Sequence, residues 1–160
     1  MSDAIDRAAG LLPEDTLALT RRQRPEFVNG AEQCLQSVLA PHDDQGLGVD
    51  LRLALALRIA TLNNDYALQQ DYQTQLAQYQ PSESLQALGR GEHTLAEPLA
   101  TLARHSDMVT QSPAQATEEN IRLLEQAGFS HAQIVALSEL IAFVNFQTRV
   151  IAGLRLLRSS

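Results

Sequence analysis

Residues 130–157 contain no proline and carry apolar side chains at helical spacing along nearly their whole length. Ile134, Leu137, Ile141, Val144, Thr148 and Ile151 recur every three or four residues, the period of one helix face. Leu140, Phe143, Phe146 and Val150 widen that stripe, and Ser130 followed by Gln133 forms a capping box at its start. A helix apolar over so wide an arc cannot be covered by one neighbour. The rest of the chain must surround it, and contact with a second subunit is the natural way to complete the cover.

The remaining segments read the same way. No segment alternates apolar and polar residues with β-branched enrichment, so no strand is expected. A short capped helix over 2–9 stops at Gly10, a second spans 14–23, and Pro25 opens a third that runs to 39. In the third, Phe27, Ala31, Cys34, Leu35 and Val38 share a face. Residues 40–48 are a loop by composition, and 49–62 form a largely buried helix. Asn63 and Asn64 are N-capping residues before a helix over 65–80 with a stripe of Leu68, Tyr72, Leu76 and Tyr79. A connector over 81–91 holds at most a turn of helix at 84–88. Pro98 opens a helix that ends near Pro113, and Thr117 caps another that stops at Gly128. The expectation is an all-α fold of seven or eight helices in a single domain over 1–160, with its core about 25–157.

Charge narrows the functional classes. The net charge is -7 and all 12 basic residues are Arg, with no cluster longer than the segment Arg21, Arg22, Gln23 and Arg24. A phosphate backbone is repelled by such a surface, so nucleic acid is not an expected partner. No run approaches the ~18 uninterrupted apolar residues of a membrane span, so no membrane partner is expected either. The first residues, Met-Ser-Asp-Ala-Ile-Asp, lack the basic and apolar regions of a signal peptide, and a single cysteine suits a reducing compartment. A cytoplasmic protein is expected.

The last third resembles a known family. Ala127-Gly128-Phe129-Ser130, Ile134-Val135, Leu137, Leu140-Ile141-Ala142, Asn145 and Arg149-Val150 are similar to a C-terminal pattern of the carboxymuconolactone decarboxylase/alkylhydroperoxidase D-like superfamily, in its peroxidase-related branch. Asn145 and Arg149, four apart, are the polar signature in that pattern. Residues 102–113, with Arg104, His105, Asp107 and Met108, resemble the helix before it, and 51–72 align with the family's core hairpin. The resemblance covers roughly 25–157. It implies an alkylhydroperoxidase D-like helical fold assembled as trimers, hexamers or related rings, with a site near the hairpin.

In redox members the hairpin carries Cys-x-x-Cys-x-x-x-His with a Glu about three turns earlier. One thiolate attacks the peroxide, the second resolves the sulfenic acid as a disulfide, and His and Glu move protons. Here Asp65 and Leu68 align with the two cysteines, Tyr72 with the histidine, and Leu53 with the Glu position. Asp forms no disulfide and Leu is inert, so the family's redox chemistry does not transfer to this chain.

The remaining polar residues each carry two readings. Asp65 caps a helix, or with Asp71 and Tyr72 it exchanges protons with a small organic molecule in a pocket also lined by Tyr66. Cys34 is a small buried hydrophobe, or a relocated thiol. His42, His93 and His131 fall at surface positions, whereas His105 sits inside the helix before Pro113 and is a candidate ligand contact. His93 and Glu97 are spaced four apart but have no third ligand, so no metal and no cofactor are expected. Asn145 and Arg149 are a buried pair, Arg149 either meeting an acid that fixes subunit register or clamping a carboxylate ligand.

Three functions follow. The first is a redox-inactive relative that binds a small organic ligand, such as an organic acid, or assembles as a homo-oligomer or with a cysteine-containing relative. The second is a non-redox enzyme of the carboxymuconolactone decarboxylase type using Asp65, Asp71 and Tyr72. The third is a thiol peroxidase relying on Cys34.

Overall fold

Leu, Ala and Ile occupy eight of the twelve positions between Val49 and Leu62, and a helix built that way is stable only where protein surrounds it. In the computed structural model, which describes residues 2–159, this helix (α4, Val49–Leu62) is buried continuously from Arg52 to Ala60. The helices before it are α1 (Ala4–Ala9), α2 (Thr16–Arg22) and α3 (Pro25–Leu39). After it come α5 (Tyr66–Ala77), α6 (Glu83–Gly89), α7 (Leu99–Gln111), α8 (Glu118–Gln126) and α9 (His131–Ser159). Among the described residues there are nine α-helices, one 3₁₀ turn at Pro113–Gln115, and no strand. The all-α expectation holds, with one helix more than expected. The extra helix is α6, where Ser82 Oγ accepts from the Leu85 amide at 3.3 Å and makes a full helix of the expected turn.

Helix α4 packs on α3, α5, α6, α7 and α9, while α9 lies against α1, α2, α3, α4, α7 and α8. By length and mean hydropathy (1.5) α9 could also cross a bilayer, although polar residues interrupt its apolar run. Yet 56% of its most apolar window is buried in the fold, as a core helix requires. The apolar core reaches in front of residue 25, taking in Ala4, Ile5, Ala9, Leu11 and Ala18.

Two arginines of α4 are sealed in this interior. Arg52 donates from Nε to the Leu47 carbonyl (2.8 Å) and from its terminal nitrogens to those of Val38 and Asp44 (both 3.0 Å). Arg58 grips Asp107 of α7 with a bidentate pair at 2.7 and 2.6 Å and also donates to the Leu88 and Glu92 carbonyls. A buried guanidinium needs this degree of satisfaction, because an unpaired one would cost several kcal/mol, roughly.

The structure corrects three sequence expectations. On α3 the buried positions are Leu35, Val38 and Leu39, whereas Phe27 is 60% exposed and Cys34 is exposed. Full burial is confined to the C-terminal half of α3, with Ala31 only partly covered before it; Phe27 instead stacks under Arg24 at 3.9 Å. Arg149 is exposed while Asn145 is buried, because the long arginine stem carries its head out of the packed face. At the α4–α5 corner neither Asn63 nor Asn64 is the N-cap; Asp65 is, in the capping role the sequence also offers it, and Asn64 lies in the left-handed region at φ 54°.

Candidate functional site

The positions aligned with the redox motif lie on the α4–α5 hairpin, where each side chain is held by the fold. Asp65 Oδ1 accepts from the Leu68 amide at 3.2 Å, and the carboxylate also takes both terminal nitrogens of Arg155 on α9 at 3.0 and 3.1 Å. Arg155 reaches on to the Ala8 carbonyl (2.7 Å), and Arg158 donates to the Ala9 carbonyl (3.1 Å). Two cations thus satisfy the C-terminal carbonyls of α1, where the helix dipole favours positive charge. Leu68 and Leu53 are core residues. Tyr72 is buried and donates its hydroxyl to Gln147 Oε1 of α9 at 2.5 Å. Burial, chiefly, with the charge of Asp71, pushes the Tyr72 phenol well above its ordinary range, so it stays a neutral hydrogen-bond donor.

The polar ends of Asp65, Asp71 and Tyr72 therefore engage different partners. Asp65 turns to Arg155, Tyr72 to Gln147, and Asp71 to Gln75 one turn along α5, whose amide it accepts at 3.1 Å. Tyr66 is 74% exposed.

Asp71 borders a cleft of about 380 Å³ between α1, α3, α4 and α5. Each wall comes from one helical face. Glu32, Leu35, Gln36 and Leu39 recur at three- and four-residue steps on α3, Val49 and Leu53 are one turn apart on α4, and so are Asp71 and Gln75 on α5. Arg7 of α1, Ala40 after α3, and Gln78 and Tyr79 after α5 complete the lining. Arg7 donates to the Ser2 carbonyl at 2.9 Å, and Glu32 Oε2 accepts the Ala4 amide at 3.2 Å. A second hollow of about 320 Å³ on the α1–α5 seam shares Arg7 and Asp71. Sequence reasoning found Asp71 but missed Arg7 and Glu32. The three-four spacing of Glu32 with Leu35 and Leu39 was the available signal for α3, whereas nothing local announces that α1 lies across α5.

The other candidates lie elsewhere. The Cys34 thiol is pushed up by partial desolvation and then by the charge of Glu139, the opposite of an activated nucleophile. Asn145 belongs to a buried polar set: its amide donates to Thr110 Oγ1 (3.1 Å) and to the Ile141 carbonyl (3.0 Å), and its Oδ1 accepts from Asn63 (3.0 Å). Arg149 donates to the Asn145 carbonyl at 3.1 Å and meets no carboxylate among the described residues. His42, His93 and His131 are exposed. No group of three or more His, Cys, Asp or Glu side chains is arranged to hold a metal among the described residues.

His105 is buried on α7, and its Nδ1, like the Oγ of neighbouring Ser106, has no hydrogen-bond partner among the described residues. Desolvation lowers the His105 pKa below the ordinary 6.5. Between the folded and unfolded values the unfolded chain binds the extra proton, so stability is present above about pH 6.5 and falls as the pH drops through that window. Urea midpoints measured from pH 7.5 to 5 should decline on the acid side in the wild type. The decline should be shallower in His105→Leu, and an unchanged slope would exclude His105 as its source.

No family model and no curated protein matches this sequence. The fold does match a solved structure, that of an uncharacterized peroxidase-related protein from Silicibacter sp. TM1040. The TM-score is 0.69 over 81% of this chain and 68% of that one, at 15% identity. The likeness is one of fold: this chain has the helical architecture of a peroxidase-related protein.

Proposed function

We propose that this chain is an alkylhydroperoxidase D-like protein without peroxidase chemistry, and that it binds a small organic ligand in the cleft between α1, α3, α4 and α5. One observation carries the reading. Every position aligned with the redox motif is committed to structure: Asp65 to a helix cap and Arg155, Leu53 and Leu68 to the core, Tyr72 to Gln147. Beside them lies a cleft whose volume falls within the ~300–1,000 Å³ of small-molecule sites. The peroxidase-related fold of the neighbour supports the family assignment. The exposed thiol of Cys34 sits on a helix face remote from the hairpin in sequence, with its pKa raised rather than lowered, which argues against a relocated nucleophile.

Two experiments test this. Purified wild type and Cys34→Ser should both fail to reduce organic hydroperoxides with a thiol reductant; turnover lost on the substitution would restore the peroxidase reading. A set of small organic acids, amines and alcohols, titrated against ¹⁵N-labelled protein, should shift backbone amides of α3 and α5 around the cleft. No shift there from any compound would remove the ligand-binding reading. The expected homo-oligomer is supported by exposed apolar side chains along α9, among them Val135, Phe146, Leu156 and Leu157, and light scattering on the purified protein checks it.

A further inference from the structure

Resting on the reading of the cleft as a ligand site, we propose that its ligand is an amino-acid zwitterion with an apolar side chain. Three fixed charges line the cleft, Arg7 on one side and Glu32 and Asp71 on others, and none of the ion pairs among the described residues joins them. Each is bound only within its own neighbourhood: Arg7 to the Ser2 carbonyl, Glu32 through Oε2 to the Ala4 amide, Asp71 through Oδ2 to Gln75. One guanidinium edge and one oxygen of each carboxylate carry no other hydrogen bond among the described residues.

The two signs decide the ligand class. A simple organic anion would meet Arg7 but also two carboxylates, and a simple amine would meet the carboxylates but also the guanidinium. Like-charge juxtaposition in a confined site is an effective way of rejecting a partner. A zwitterion satisfies both signs at once, its carboxylate on the Arg7 fork and its ammonium on Glu32 and Asp71. Leu35, Leu39 and Leu53 line the same cleft and supply the apolar surface against which a hydrocarbon side chain would lie. The small organic acid expected from sequence therefore becomes an amino acid, because the tertiary structure brings Arg7 and Glu32 to the cleft that Asp71 borders.

L-phenylalanine, N-acetyl-L-phenylalanine and 2-phenylethylamine share one side chain and differ in charge, so amide-shift titrations with the three separate the classes. The zwitterion should shift the cleft amides and bind at least tenfold more tightly than either singly charged analogue. Arg7→Ala, Glu32→Gln and Asp71→Asn should each weaken L-phenylalanine tenfold or more. Glu32→Gln keeps an oxygen for the Ala4 amide, so it separates ligand charge from the docking of α1. An analogue that binds within tenfold of the zwitterion, or variants that bind L-phenylalanine as the wild type does, would overturn the ligand class. Shifts from other compounds at the same amides would then still leave the cleft a ligand site. If neither these three nor the broader compound set perturbs the cleft, both readings fall together.

Discussion

Replacing Asp107 with Ala should lower the unfolding free energy by about 3–5 kcal/mol, the usual cost of stranding a buried charge. Arg58 is only 1% exposed, and its Nε and one terminal nitrogen close on the two oxygens of Asp107. Without that carboxylate the guanidinium keeps only the carbonyls of Leu88 and Glu92, which neutralise no charge. Since a domain of this size is stable by roughly 5–15 kcal/mol, the loss is a large share of the total. The double variant Arg58→Met with Asp107→Leu should recover part of it, because no buried charge is left uncompensated, although the two carbonyls lose their donor. Urea denaturation with a common slope, run as a double-mutant cycle, reads the coupling directly. Additive single and double effects would show that the pair is not a unit.

The second large effect is expected at Arg52. Arg52→Ala should cost about 2–4 kcal/mol, since it leaves three carbonyls without their charged donor and empties a buried volume. The three carbonyls belong to Val38 near the end of α3 and to Asp44 and Leu47 in the loop before α4. One planar guanidinium thus ties a helix end and a loop to the first turns of the central helix. Burial pulls the Arg52 pKa down while Asp44 and Glu139 oppose the change. Hydrogen exchange should speed up selectively over residues 40–48 in the variant, whereas a uniform rise would point to global destabilisation alone. Arg52→Lys should recover little, because a single ammonium cannot reproduce the three-way fork.

These two arginines show where sequence reasoning stopped short. The segment around them was read as an apolar buried helix, and it is one. The buried cation expected from sequence is instead Arg149, paired with Asn145 on the longest apolar helix, and of the two only Asn145 is buried. Arg149 stands on an open strip of α9 with exposed Ala142 and Phe146, whereas Arg52 and Arg58 lie on a stretch of α4 buried without a break. A helix with one open strip lets a long cation escape to water. A helix covered all round does not, and the chain must then supply partners from elsewhere.

The two kinds of information divide along the range of the interactions involved. Periodicity, caps and breakers act over a few residues, so the all-α class, the long α9 and the capping roles of Asp65 and Thr117 were legible in the sequence. Chemical identity was equally local: residues that cannot perform thiol chemistry were recognisable at the aligned positions without any coordinates. The pairing of Arg155 with Asp65 across 90 residues, the rotation that exposes Cys34, and the meeting of Arg7, Glu32 and Asp71 in one cleft were decided only by tertiary packing. Which helix covers which face depends on contacts between segments far apart in the chain, and no local pattern encodes that choice.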